Sequence, residues 1–309
     1  MQMVAPRHNV RPPRQSHANH RAAFTLVELL VVLAIIGVLV SFLLPVLAKT
    51  KEKTRETQCL NNLRNQGLMQ KYFRDDFGVF PPARIRQWNA TTMQWERRST
   101  IPGMGGIDPL PGHFASAVPW AVNRPLAQYQ TARDVEVFHC PLDRGHLAFP
   151  TLLPCPGLPT LHHAAKPSMW ETIGCSYLYN GRPGAPVDPT RTPPMPPVFL
   201  HPLAGFLPGK PEEWVNDPSR YILANEPPAQ PLGRLLSVAP LVPITFWSQW
   251  HRSRSYSDFV DPTIAPPMFI SPVLFVDGHV ASHDFSKNVM TDPFYPYEET
   301  KDWIWYQRR

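Results

Sequence analysis

The sequence predicts an α+β chain, with one long N-terminal helix followed by a loop-rich domain of short strands. Three observations predict it. Residues Leu29–Ala48 (LLVVLAIIGVLVSFLLPVLA) carry no charge, and a helical pattern continues beyond them to about Asp76. Of the 39 prolines, 35 lie from Phe77 onward, and proline breaks helix interiors because it lacks an N–H. Near the C-terminus, VLFVDGHVASHDF (residues 273–285) alternates around Asp277-Gly278 in the manner of a β-hairpin.

Composition narrows the function classes. Proline is about one residue in eight, against a usual share of roughly 5%, so an all-helical bundle is excluded. A hydrophobic content of 43% with 11% aromatics excludes a disordered polymer. The sequence pI of about 9.2 suggests nucleic acid, but the charge is unevenly placed. Residues 1–23 hold 4 arginines (Arg7, Arg11, Arg14, Arg21) and no acid. Taking those 4 from the 30 basic groups leaves 26 against 24 acids, so the formal charge falls from +6 to +2. The basicity belongs to a leader, and no nucleic-acid partner is expected.

At 1.5 Å per residue the chargeless run is about 30 Å long, the thickness of a bilayer's hydrocarbon core. A secretory signal is disfavoured, since its apolar stretch is shorter and a small-residue cleavage site follows it. Here Ala22 and Ala23 precede the run. Lys49, Lys51, Lys53 and Arg55 balance the leader's arginines, so loop charge does not orient the span. Glu28 is the unusual residue, because a carboxylate within hydrocarbon costs about 2.5–3.5 kcal/mol at the bilayer centre.

The string Ala23-Phe24-Thr25-Leu26-Val27-Glu28 ahead of the run resembles the class III signal of type IV prepilins and type II secretion pseudopilins. The resemblance implies that a cytoplasmic-side prepilin peptidase/methyltransferase cuts between Ala23 and Phe24 and methylates the Phe24 amine. A mature chain of 286 residues would remain, 309 less 23. Where the family usually has Gly before the cut, this chain has Ala23. The resemblance further implies that Glu28 pairs with the terminal amine of a neighbouring copy. It also implies that Pro45 loosens the helix within a filament. Other copies, minor pseudopilins, a secretion or pilus assembly platform and the lipid bilayer are the implied partners. The implied fold is pilin-like, with the long helix packed on a mainly antiparallel β-sheet domain with many Pro-rich loops. The implied location is a bacterial inner membrane, N-terminus inside and C-terminal domain periplasmic, then a pseudopilus or surface filament.

The segments expected are a leader at 1–23, a transmembrane or filament-core half-helix at 24–48, an amphipathic half at 49–77 and an exported β-rich domain at 78–309. In the amphipathic half, Cys59, Leu60, Leu63, Gly67, Leu68, Tyr72 and Phe73 recur at three- and four-residue spacing as a core-facing stripe. Read as one helix, Phe24–Asp76 would run roughly 80 Å. Candidate strands follow at Val135–His139, Ile173–Tyr179, Arg220–Ala224, Ile244–Trp247 and Val273–Val276. The seven prolines between Gly181 and Pro197 read as an extended or polyproline II loop. Asp277-Gly278 suits the left-handed angles of a two-residue hairpin turn. The strings CLNNLRNQGLMQ, Cys140-Pro141-Leu142-Asp143, D-G-H-V and TKDWIWYQ also resemble elements of pilin-like proteins. In that group a histidine shortly precedes D-G-H-V; here 25 residues separate His251 from Asp277.

Asp277, His279, His283 and Asp284 are weak metal candidates. Calcium is bound by some pseudopilins, but it wants oxygen ligands, whereas imidazole suits transition metals. A structural turn is the preferred reading. Cys59, Cys140, Cys155 and Cys175 form no C-x-x-C pair, and three full disulfide pairings are open to them. Cys59 could also simply pack on its helix. No G-x-S-x-G elbow, H-E-x-x-H or phosphate loop occurs, so neither an enzyme nor a cofactor is expected. The alternative to a pilin-like structural subunit is a periplasmic glycan- or protein-binding domain on a pilin-type anchor.

Overall fold

The computed structural model describes residues 26–101, 103–110, 118–130, 134–143, 168–181, 204–229, 250–251, 270–286 and 299–308. The leader, Phe24, Cys155, the expected strand at Ile244–Trp247 and the proline-rich loop beyond Gly181 lie outside them. Two compact units result, Met1–Lys49 and Thr50–Arg309.

Helix α1 spans Leu26–Phe77 without a break at Pro45. In the first unit every large apolar side chain from Leu26 to Leu47 is exposed. In the second, α1 buries Cys59, Asn62, Leu63, Gln66, Gly67, Met69, Gln70, Phe73 and Arg74. The expected stripe is thus corrected at Leu68 and Tyr72, which face outward, while amides take their place. Two of these amides meet backbone: Asn62 Nδ2 donates to the His139 carbonyl (2.7 Å) and Gln66 Nε2 to that of Val137 (2.8 Å).

Strands β1 (Arg84–Asn89) and β2 (Gln94–Ser99) pair antiparallel as a hairpin, an element the sequence reading missed. Its alternation is carried by arginines and tryptophans rather than aliphatics, and Trp88 and Trp95 face each other in the open. One expected strand, Val135–His139, is corrected to a helical turn, since Val135–Phe138 is a 3₁₀ turn. Met169–Ile173 is a short helix, α2, that ends where the next expected strand begins. A Ser168/Glu171 capping box starts α2, and Gly174 at φ 80° ends it. Only Leu178–Tyr179 of the expected Ile173–Tyr179 strand is extended, as β3.

The main sheet is antiparallel, in the order β3-β5-β6-β7, with β5 at Ile222–Asn225, β6 at Ile270–Phe275 and β7 at Val280–Asp284. A small pair, β4 (Ala204–Gly205) with β8 (Gln307–Arg308), lies apart from it. The central strands β5 and β6 are covered on both faces. Leu223, Leu274 and Val276 join the core that contains α1, where a Cβ on Gly67 would stand 2.9 Å from Leu274 Cδ1. Ile222, Val273 and Phe275 turn the other way, onto Phe285, Trp303 and Trp305. Their continuous apolar sequence follows from burial on two faces. Pro272 is tolerated in β6 because β5 pairs only with Val273–Phe275. The C-terminal segment is held by a parallel bridge between Tyr221 and Ile304.

The hairpin of β6 and β7 forms where Asp277-Gly278 predicts it, but with a different turn. Gly278 N donates to the Phe275 carbonyl, and Phe275 N to that of His279. Only Gly278 is left-handed, at φ 92°, so Asp277 is not. This is a three-residue connection with a glycine bulge. Val276 is drawn into the turn because its own N–H donates to the Tyr221 carbonyl, just ahead of β5.

Candidate functional site

Glu28 and Pro45 lie on α1 within its exposed apolar half, and Ala23 and Phe24 precede the described residues. Seventeen exposed large aliphatic or aromatic side chains between Leu26 and Leu47 make a surface that water does not stabilise. A helix of this length and composition can cross a bilayer. Pro45 removes one main-chain donor from its middle turn, which would otherwise bond the Ser41 carbonyl.

The four weak metal candidates are placed at the β6–β7 hairpin. Asp277 Oδ1 accepts from His279 N (3.0 Å) and contacts His279 Nδ1 (2.7 Å), which closes the turn. His279 stacks on Phe275 with ring centroids 4.3 Å apart. His283 meets Phe275 and Trp303 edge-on at 5.7 and 5.5 Å. Burial among these rings holds the His283 imidazole below its ordinary value. Asp284 accepts from Ser286 N. These contacts are those of a turn and an aromatic cluster.

The cysteines settle one of the open pairings. Cys59 of α1 bonds Cys140, which follows the 3₁₀ turn, and Cys175 is a buried free thiol. Burial raises the Cys175 thiol to about 11. The Cys140–Asp143 string gains a clear part. Asp143 N donates back to Cys140, and its carboxylate accepts from Met169 N, Trp170 N and Ser176 Oγ. One turn therefore anchors α2.

Beside the disulfide lie two residues that sequence reasoning did not bring together. Glu226 follows β5, and His251 follows the buried Trp250. His251 Nε2 contacts Glu226 Oε2, with side-chain exposures of 1% and 0%. Burial raises the Glu226 carboxyl, with His251 opposing. Burial alone would lower the His251 imidazole, but the adjoining carboxylate outweighs it and raises it. No spacing pattern joins them to Cys59 or Cys140. The one available signal was an acid closing an apolar strand, ILANE.

Comparison with known proteins places one part of the chain. Residues 18–44 match the family model for the prokaryotic N-terminal methylation motif. No curated protein matches, nor does any solved structure. The family match does not reach the C-terminal Asp277–Val280 element. In its methylation motif, the long exposed apolar helix that follows and the antiparallel sheet beyond, this chain is similar to type IV prepilins and pseudopilins.

Proposed function

We propose that the chain is a structural subunit. It is cut between Ala23 and Phe24, methylated at Phe24 and polymerised through α1 into a type II secretion pseudopilus or type IV pilus-like filament. The observation that carries this reading is the methylation motif at residues 18–44 running directly into the exposed apolar half of α1. A motif of this kind implies a prepilin peptidase and other pilin copies as partners. With the apolar helix it supports a single-pass membrane anchor, the leader inside and residues 78–309 exported.

In this reading the bilayer stores the subunit, and neighbouring helices later replace lipid around Leu26–Leu47. Glu28 then has a defined task. Cleavage leaves a positive amine at Phe24, one helical turn from Glu28, and both charges are costly in an apolar filament core. Pairing Glu28 with the amine of the next copy recovers much of that cost and fixes the axial register. Pro45 supplies a turn with one fewer hydrogen bond, where the helix can loosen. The comparisons do not favour the tethered binding domain.

Mass spectrometry of protein from the native membrane tests the proposal. An N-methylated Phe24 terminus is expected, and an intact Met1 terminus on the working form would overturn it.

A further inference from the structure

Four side chains from separate stretches of the second unit converge at one buried point. One donor atom from each of Cys59, Cys140, Glu226 and His251 lies within 4.8 Å of the others. Both cysteines are fully buried, and the Glu226 and His251 side chains are 0% and 1% exposed. After their mutual contact, Glu226 Oε1 and His251 Nδ1 have no hydrogen-bond partner among the described residues. A buried carboxylate oxygen and a buried imidazole nitrogen left without partners are costly. Core packing does not account for both at one place.

We infer that, with Cys59 and Cys140 reduced, these four groups bind one Zn²⁺ through two thiolates, one imidazole and one carboxylate. The donor set and number are those of a closed tetrahedral zinc site. Zinc bonds of about 2.0–2.3 Å set neighbouring donors roughly 3.3–3.8 Å apart; the four donors lie within 4.8 Å of one another, and the two sulfurs, joined in the disulfide, separate to that spacing on reduction. Thiolates also select zinc over calcium or magnesium, which prefer oxygen. Binding displaces two thiol protons.

The disulfide and the metal are alternative states of one site, because a sulfur in an S–S bond is no longer a thiolate. A small-molecule disulfide R–S–S–R is the oxidant class required. It takes two electrons from the Cys59 and Cys140 thiolates, their S–S bond forms, R–S–S–R is cleaved to two R–S⁻, and Zn²⁺ leaves unchanged in charge. The metal would thus hold α1 to the Cys140 segment before oxidation, and the disulfide would do so after it. This inference is independent of filament assembly.

The test uses the full chain in detergent, reduced in the presence of Zn²⁺ or of Co²⁺ as a spectroscopic probe. The reduced chain is expected to retain one metal, and the oxidised chain less than about a tenth of that. Cobalt should show thiolate-to-metal charge transfer and tetrahedral d–d bands. His251→Ala and Glu226→Gln should each weaken metal binding at least about tenfold, whereas Cys155→Ser should not. Reduced protein that binds no metal, folded or unfolded, overturns the inference. So does a cobalt spectrum and affinity unchanged in both variants, or loss of metal in Cys155→Ser. If either buried-site variant fails to fold, the reduced-versus-oxidised comparison in the unsubstituted chain still decides.

Discussion

Single residues in the second unit carry constraints that can be measured. Arg124 is buried and donates its hydrogen bonds to the carbonyls of Pro119, Gly105, Gly174 and Ile173. Desolvation lowers its guanidinium to about 10, yet it stays charged at neutral pH and ties the loop at 103–110 to the end of α2. Arg124→Met leaves those carbonyls without their donor and should cost at least about 3 kcal/mol in denaturant unfolding. Gly174 is constrained twice, by its positive φ and by a Cβ position only 1.9 Å from the Ile107 carbonyl oxygen. Gly174→Ala should cost about 2–3 kcal/mol, read as a lowered unfolding midpoint. His283 makes stability depend on pH. Its folded value lies below its unfolded one, so the contribution is fully present above about 6.5. It is lost as pH falls through that value towards the folded one. His283→Phe removes the titration and should flatten the fall in Tm between neutral and mildly acidic pH; an unchanged slope would count against it.

At the scale of elements, α1 is two helices in one. Its first half is a run of exposed apolar side chains interrupted by Glu28 and by Ser41, whose hydroxyl donates to the Val38 carbonyl. Its second half combines an apolar stripe with amides that bond the carbonyls of the 3₁₀ turn. The Cys59–Cys140 link fixes the same contact covalently, across a sequence separation of 81 residues. In the oxidised protein, replacing both cysteines by alanine should lower stability by about 2–4 kcal/mol, since the unfolded chain loses its closed loop. Reduction of the parent chain without zinc should produce a similar shift. The short elements were harder to read. A four-residue run such as VEVF has strand-like composition, yet it winds into a 3₁₀ turn because Asn62 and Gln66 claim its carbonyls. Local composition cannot reveal a partner 71 residues away.

For the molecule as a whole, the proposed assembly sets the strongest expectation. Glu28→Ala should leave the second unit's folding unchanged by circular dichroism and abolish filament formation in electron micrographs. Filaments of normal abundance from that variant would remove Glu28 from assembly. The long apolar helix, the motif before it, the β6–β7 hairpin and the α+β class are readable from the residues in order. Each is written in consecutive residues, as a run, a 3.6-residue recurrence or a two-residue alternation, and so is legible without any partner. Folding in three dimensions settles which cysteines meet, which face of α1 is buried and that Glu226 and His251 gather beside Cys59 and Cys140. Those choices depend on side chains distant in sequence being desolvated together, and burial reveals that where spacing does not.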